Sequence, residues 1–559
     1  MSNSSFFQSY KNEFSGYSWG KFRQDVLAGL TVAAVALPLA LAFGVASGAT
    51  AAVGLVTSII ASVAMGLLAG APFQVSGPTA GLVGVLGMVA QRSGLQGIWL
   101  AGLLAGFIMV VLGLLKLGRL IAYLPAPVIT GFTSGVSLVL IIGQLDNFLG
   151  IQTPGADTSL AKLLGYFKYE FVPDWHTVVI GLVVIAIMAF WPKRWDKRFP
   201  SSLAGIVIAT GFNMVISWPV DQIGTIPQTL LLPERLTFSM ITWSNFSSIF
   251  LSAISIALLC AMESQLCGAV MSDVSGIPIR ANQDLISQGV GNMVLPFFGC
   301  IPATATMVRS SVMLKSGGQT RVAGLAKGVG LLFTMFAFSK VMSHVPMAAL
   351  AGVLMVIAWR INKWSSIRSY FSHRYIPAIL VYLSTIVVTI ATDLVLGMMA
   401  GVVVSILIYL QQSARLDVKP INLEQANGQD HLTYNPAIHP IQMISITGQL
   451  FFATTRHLNA ALDELSSAPV VILSMGGLSL IDASGVEVLS ELSRKIIERG
   501  NTVLFAGASK DVMQVLRRGG LLDTINSDNF FQNTDQAIIE AHRRIHESLS
   551  HTRIDVTED

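Results

Sequence analysis

Long apolar runs alternate with short polar breaks over the first 413 residues. The apolar stretches fall at about 26–47, 50–70, 75–91, 97–115, 123–143, 176–192, 201–217, 249–272, 284–299, 303–314, 322–342, 346–358, 376–392 and 394–412. A helix needs about 20 apolar residues to cross a bilayer, so some fourteen segments are expected, several too short to span alone. No charged residue lies between Asp25 and Arg92, and that stretch holds two or three crossings by itself. The two long breaks are 144–175 and 218–245. After Ala414 the pattern changes abruptly to polar sequence broken by short apolar runs. Strands are predicted over 441–453, 469–474 and 502–507. Helices are predicted from Thr454 or Thr455 through about Leu465, over 485–499, after a Ser509 cap and over 534–546. Strands alternating with helices imply a sheet covered by helices, and about 120 residues can bury one small core.

Composition agrees with this division. The chain has 559 residues, of which 53% are hydrophobic and 12% charged, whereas soluble domains carry about 25% charged residues. The expected organisation is a cytosolic N-terminal segment (1–25), a transmembrane transport domain (26–413), a linker (414–436), an α/β domain (437–550) and a polar tail (551–559). The first 25 residues lack the apolar core of a secretory leader, so no cleaved signal is expected.

Lys and Arg orient the bundle. With the N-terminus inside, Lys116, Arg119, Lys193, Arg194, Lys197, Arg198, Lys315, Arg321, Arg360, Lys363, Arg368 and Arg374 fall in cytosolic loops. Asp146, Asp157, Glu170, Asp174, Asp221 and Glu234 fall outside. This reading places the C-terminal domain in the cytosol, in a bacterial inner membrane. The net charge of +4 comes without a long basic run, so no nucleic-acid partner is expected. Cys260, Cys267 and Cys300 lie in apolar surroundings without metal-ligand spacing, so neither disulfide nor metal is expected. No HExxH, GxxxxGK[ST] or GxSxG pattern occurs, and neither an enzyme nor a cofactor is expected.

Two short segments are interrupted at matching places. Phe73-Gln-Val-Ser-Gly-Pro-Thr-Ala80 precedes a helix that runs only to about Gln91. Cys300-Ile-Pro-Ala-Thr-Ala-Thr-Met-Val308 precedes one that ends near Lys315. Gly77-Pro78 and Pro302 prevent continuous helix before them. Paired interrupted segments are the sequence signature of a transporter site at the bilayer midplane. Two half-helix N-termini there offer free N–H groups to an anion. The Ser76 hydroxyl is a further candidate donor. Taken singly, either segment reads equally well as a kinked packing helix; the matched pair favours the site. Glu263 stands alone in an apolar run, and a carboxylate there faces a cavity or pathway where it can bind and release a proton. Cys267 is four residues on and shares that helix face. Arg309 is a second lone charge just inside the second half-helix, where a cation helps to hold an anion. The bland alternatives are a permanently protonated Glu263 bonded to a neighbouring helix, and an Arg309 that snorkels or pairs with Glu263.

Several runs resemble the SulP (sulfate permease) family. They are Ala36-Leu-Pro-Leu-Ala-Leu-Ala-Phe-Gly44, Val75-Ser-Gly-Pro-Thr-Ala80, Gly131-Phe-Thr-Ser-Gly135, Glu263-Ser-Gln-Leu266, Gly291-Asn-Met-Val-Leu-Pro-Phe-Phe-Gly299 and Arg309-Ser-Ser before Gly317-Gly318. The resemblance extends from about residue 18 to about 545, and the tail is similar to a STAS domain. It implies a 7+7 inverted repeat of core and gate domains, with two half-helices meeting at the midplane, that moves by an elevator-like mechanism. It places substrate contacts at Phe43, Thr79, Ala80, Thr306, Met307, Val308 and Arg309. Glu263 matches an acidic position linked to cation coupling. Sodium-coupled bicarbonate members carry Asp there, so Glu points to H+ before Na+. In soluble STAS relatives a phosphorylated Ser directly follows an Asp; here Ala483 follows Asp482, and Ser484 is read as a helix cap. The tail is therefore expected to regulate and to support a homodimer.

Four functions compete. Proton-coupled uptake of sulfate, bicarbonate or a C4-dicarboxylate leads. A sodium-coupled bicarbonate symporter or an uncoupled anion channel of the same fold is the alternative, and Glu263 counts against a channel. A nucleobase transporter conflicts with Arg309 and the tail. A sensor that uses the bundle only as an anchor conflicts with the matched half-helices.

Overall fold

The computed structural model describes residues 10–11, 13–118, 125–154, 158–168, 171–196, 199–241, 243–421, 441–455, 458 and 468–555. Arg119, Lys197, Arg198, Asp157 and Glu170, most of the helix expected over 454–465, residues 422–436 of the expected linker, and residues 556–559 of the tail lie outside them. The chain forms two compact units, Met1–Ser405 and Ile406–Asp559.

The first unit is helical. Its elements are α1 (Trp19–Ala46), α2 (Ala51–Ala64), β1 (Ser76–Gly77), α3 (Ala80–Leu114), α4 (Ala126–Leu149), α5 (Ser159–Lys168), α6 (Trp175–Phe190), α7 (Ser201–Ile216), α8 (Trp243–Ser275), α9 (Ala281–Val294), β2 (Thr304–Ala305), α10 (Met307–Lys315), α11 (Arg321–Met342), α12 (Met347–Ile361), α13 (Trp364–Ser372), α14 (Ile376–Ala391) and α15 (Leu394–Ser413). Every expected apolar stretch is helical over most of its length. Among the described residues, six helices are long and apolar enough to cross a membrane alone. Large apolar side chains such as Val215, Phe333, Val387 and Leu407 point outward, as a lipid-facing surface requires.

One segment differs from expectation. Stretches 75–91 and 97–115 join in α3, which has 35 residues and would be on the order of 50 Å long if straight. Gly94 breaks it with φ 63°, a left-handed conformation that favours glycine, so two crossings share one named helix. The polar breaks also hold short helices, among them α5 and α13.

The packing repeats itself. α1 packs on α2 and α11, while α3 packs on α8 and α9. α4 packs on α12 and α14, and α6 on α7 and α12. The strand-then-half-helix unit β1–α3 recurs as β2–α10. This is the expected 7+7 inverted repeat, with α1–α3 and α8–α11 as one body and α4, α6, α7 and α12–α15 as the other. The α3–α9 crossing is close because Gly106 and Gly289 face each other: a Cβ on either would come within 2.6 Å of the other's carbonyl oxygen. Before α1, Glu13 salt-bridges Arg321 at 2.7 Å, and within α1 Asp25 accepts from the backbone N–H of Gln319 at 2.6 Å.

The second unit is an α/β domain with β3 (Leu416–Ile421), β4 (Ile441–Leu450), β5 (Val470–Ser474), β6 (Leu478–Ile481), α16 (Ala483–Glu498), β7 (Thr502–Ala506), α17 (Lys510–Arg518), β8 (Phe530–Phe531) and α18 (Thr534–Asp555). The sheet order is β3-β4-β5-β7-β8, with β6 on β4. β3 is antiparallel to β4 and the other pairs are parallel. One apolar core, with Leu489 and Leu516, covers one face; Ala537 and Ala541 of α18 cover the other. That double cover explains why Val470–Leu473 are all buried. Two corrections apply here. Leu416–Ile421, read as linker, is a strand of the sheet, because Leu416 and Val418 pack against the core. Ser484 does not cap α16: Asp482 does, accepting from Gly485 N–H at 2.9 Å.

Candidate functional site

Pro78 lacks an N–H and cannot continue helix from the strand, so the chain leaves β1 extended and turns helical only at α3. Thr79 is the N-cap of α3, its Oγ1 accepting from Gly81 N–H at 3.1 Å. β2 pairs antiparallel with β1, Ser76 opposite Ala305 and Gly77 opposite Thr304. α10 begins just past β2, with Thr306 at its N-cap. Unlike Thr79, Thr306 makes no cap hydrogen bond, and its buried Oγ1 has no partner among the described residues. The first-turn N–H groups of α10 are thus left without a side-chain cap.

A cavity of about 110 Å³ opens beside this crossing. Phe43 of α1, Thr79 and Ala80, Glu263 of α8, and Thr306, Met307, Val308 and Arg309 all line it. The opposite wall is Phe132, Thr133 and Val136 of α4 with Ile357 and Ile361 of α12. The cavity therefore separates the two bodies of the bundle. Its volume suits a small inorganic ion with a few waters, each of which takes roughly 30 Å³.

The charges within it are specific. Arg309 is 2% exposed. Its Nη2 donates to the Pro78 carbonyl, while Nε and Nη1 have no hydrogen-bond partner among the described residues. A buried guanidinium with unpartnered donors beside a cavity has the chemistry to receive an anion. The Glu263 carboxylate accepts from Thr79 Oγ1 at 2.5 Å. It lies over Gly81, where a Cβ would overlap it, so the carboxylate also sits at the positive end of α3.

Two residues expected at the site are elsewhere. Ser76 faces away from the cavity and exchanges hydrogen bonds with Gln288, whose Nε2 donates to Ser76 Oγ at 3.0 Å. Cys267 donates to Ser310 Oγ at 3.4 Å and packs with Ala71, Phe73 and Met271. Four residues of helix advance about 6 Å and turn about 40° beyond a full circle, enough to carry Cys267 from the cavity to the closed side of the strand pair.

Sequence reasoning missed the polar residues behind the crossing. α9 presents Asp284, Gln288 and Asn292 at i, i+4 and i+8, one stripe of a helix. Asp284 accepts from Ser264 Oγ and from Gln265 Nε2, the latter at 3.1 Å. Asn292 bonds both the N–H and the carbonyl of Ala303, at 2.8 and 2.9 Å. Together with Gln288 it holds both strands in place. Lys327 of α11 is fully buried and donates to the Ser76 carbonyl at 2.7 Å. Both signals were available: the regular spacing of the stripe, and a lone Lys inside an apolar run. Phe132 and Thr133, on the α4 wall of the cavity, lay within the Gly131–Gly135 run without being assigned to the site.

Known proteins share this architecture. A model of the sulfate permease family matches residues 22–384, and one of the STAS domain matches residues 435–537. The Bacillus subtilis protein YvdB, whose name gives sulfate as a candidate substrate, is 30% identical over 540 residues, covering 94% of this chain and 99% of that one. The bicarbonate transporter BicA of a Picosynechococcus species is 25% identical over 546 residues, covering 93% and 94%. The structure of the murine Solute Carrier 26 family member A9 anion transporter, in its inward-facing state, superposes with a TM-score of 0.84 over 97% of this chain and 96% of that one, at 18% identity. The transmembrane domain of BicA superposes with a TM-score of 0.62 at 26% identity, over 69% and 98%.

Proposed function

Because the chain belongs to the sulfate permease family, we propose that it is a secondary active transporter that carries small anions across a membrane and couples their uptake to protons. The observation that carries this reading is Arg309, a buried cation that lines the cavity and whose Nε and Nη1 have no hydrogen-bond partner among the described residues. Sulfate and bicarbonate are the leading substrate classes, supported by the names of relatives such as BicA, with C4-dicarboxylates next. The cavity between α1, α3, α8 and α10 on one side and α4 and α12 on the other supports an elevator-like cycle, in which the site moves with the first body past the second. The N-terminus and the C-terminal domain are assigned to the cytosol of a bacterial inner membrane, and the domain to a homodimer; the Lys and Arg of the short loops support that orientation.

Glu263 is the proposed coupling group. Anion binding beside Arg309 partly neutralises that cation, so Glu263 takes up a proton more readily and proton and anion bind with reciprocal linkage. In the Glu263→Gln variant, Thr79 Oγ1 can donate to the amide carbonyl as it does to the carboxylate, so the substitution keeps that hydrogen bond and removes the titration. In proteoliposomes the wild type is expected to accumulate labelled sulfate up to about tenfold per pH unit for each coupled proton. Glu263→Gln should still exchange anion in counterflow but fail to concentrate it. Concentration by Glu263→Gln under a pH gradient would remove Glu263 as the coupling group. Uptake that follows sodium and ignores pH would select the sodium-coupled symporter, and uptake that follows neither gradient would select a channel.

A further inference from the structure

Arg309 and Glu263 are not the whole charge of the site. The described ion pairs of the bundle join Lys162 to Asp146, His176 to Asp174 and Arg321 to Glu13, and Lys327 belongs to none of them. Its Nζ, fully buried, bonds the Ser76 carbonyl. The Arg309 Nη2 bonds the Pro78 carbonyl, two residues on. Between these carbonyls lies Gly77, where a Cβ would overlap the Arg309 guanidinium. The two cations thus bracket one glycine of the strand that leads into α3. Two residues of extended chain span about 7 Å, so both charges act on an anion held at Arg309. The acids nearby are Glu263, inside the cavity, and Asp284, on the far side with Ser264 and Gln265 as donors. A buried cation without an ion-pair partner is costly, and an anion held in the cavity would lower that cost.

We propose that Lys327 is a second cationic determinant of the anion site, and that with Arg309 it makes the site select doubly over singly charged oxyanions. This rests on the transport reading above and narrows its substrate class to dianions of the sulfate type. Electrostatic energy scales with the product of the charges. Removing the Lys327 charge therefore weakens a dianion by the square of the factor it costs a monoanion. At about 10 Å and an effective dielectric of about 20, those factors are on the order of ten for a monoanion and a hundred for a dianion.

The experiment measures binding of sulfate and of nitrate to the purified full-length protein, wild type and three variants. Wild type is expected to bind sulfate more tightly. Lys327→Gln keeps a donor for the Ser76 carbonyl and removes the charge, so it should lose most of the preference for sulfate; Lys327→Met should do the same. Equal weakening of both anions by Lys327→Met, restored by Lys327→Gln, would make Lys327 a strand-positioning residue only and overturn the proposal. A wild type that binds nitrate as tightly as sulfate overturns it without any variant. Arg309→Ala separates the two readings. Binding lost there but unchanged in Lys327→Gln defeats this inference and leaves the anion site standing, whereas binding unchanged in both defeats the anion site itself.

Discussion

Replacing Arg309 with Ala tests the anion site most directly. The side chain is 2% exposed, and the substitution removes three things at once. It removes a positive charge, the idle Nε and Nη1 donors, and the bond from Nη2 to the Pro78 carbonyl. A hydrogen bond to a charged group contributes about 1.5–3 kcal/mol net. If the bound anion engages the idle donors, its affinity should fall by about 2–3 kcal/mol, or roughly thirty- to a hundredfold. Arg309→Lys keeps a charge but not the planar fork and should fall between the two. Loss of the Pro78 contact also loosens the entry to α3, so folding must be checked separately by size exclusion and thermal melting in detergent. The assay is calorimetric titration of sulfate and bicarbonate into the purified protein, repeated as counterflow in vesicles. A folded Arg309→Ala protein whose dissociation constants stay within about twofold of wild type would refute the reasoning.

Three further outcomes are expected. Gly289→Ala places a Cβ 2.6 Å from the Gly106 carbonyl oxygen and should cost about 1–3 kcal/mol by forcing α3 and α9 apart; an unchanged detergent melting curve would argue against that contact. Asp482→Ala strips acceptors from Gly485 N–H and Phe452 N–H and should destabilise the C-terminal domain by about 1–2 kcal/mol in urea, whereas Ser484→Asp should leave both stability and transport regulation unchanged. Hydrogen bonds from Arg543, then from Arg544, hold the Glu540 carboxyl down at about 2. Its stabilisation of α18 is therefore present above the ordinary carboxylate range and lost as pH falls from about 4.5 towards 2; an NMR titration of Glu540 with an ordinary carboxylate midpoint would contradict those pairs.

The features legible in the sequence are those that short-range physics decides. Run length against bilayer thickness predicts the crossings, and Gly77-Pro78 with Pro302 predicts where helix must stop and start again. The change of period after Ala414 predicts the α/β domain, and Ser509 caps α17 as expected, accepting from Val512 N–H at 3.3 Å. Lone charges in apolar runs marked Glu263 and Arg309. Which face of the strand crossing holds the cavity was decided only by the tertiary structure. Thr79 meets Glu263 across 184 residues, and Ser76 meets Lys327 across 251. Ser76 and Thr79 are three residues apart, yet the antiparallel pairing of β1 with β2 turns one towards Gln288 and the other into the cavity. Cys267 shares a helix with Glu263 and is carried behind the same crossing. Leu416–Ile421 has no strand signal of its own beyond a short alternation, and becomes a strand because β4 offers it an open edge. Local propensity and hydropathy act over a few residues, while the direction of a side chain in a packed bundle depends on which distant backbone reaches it first.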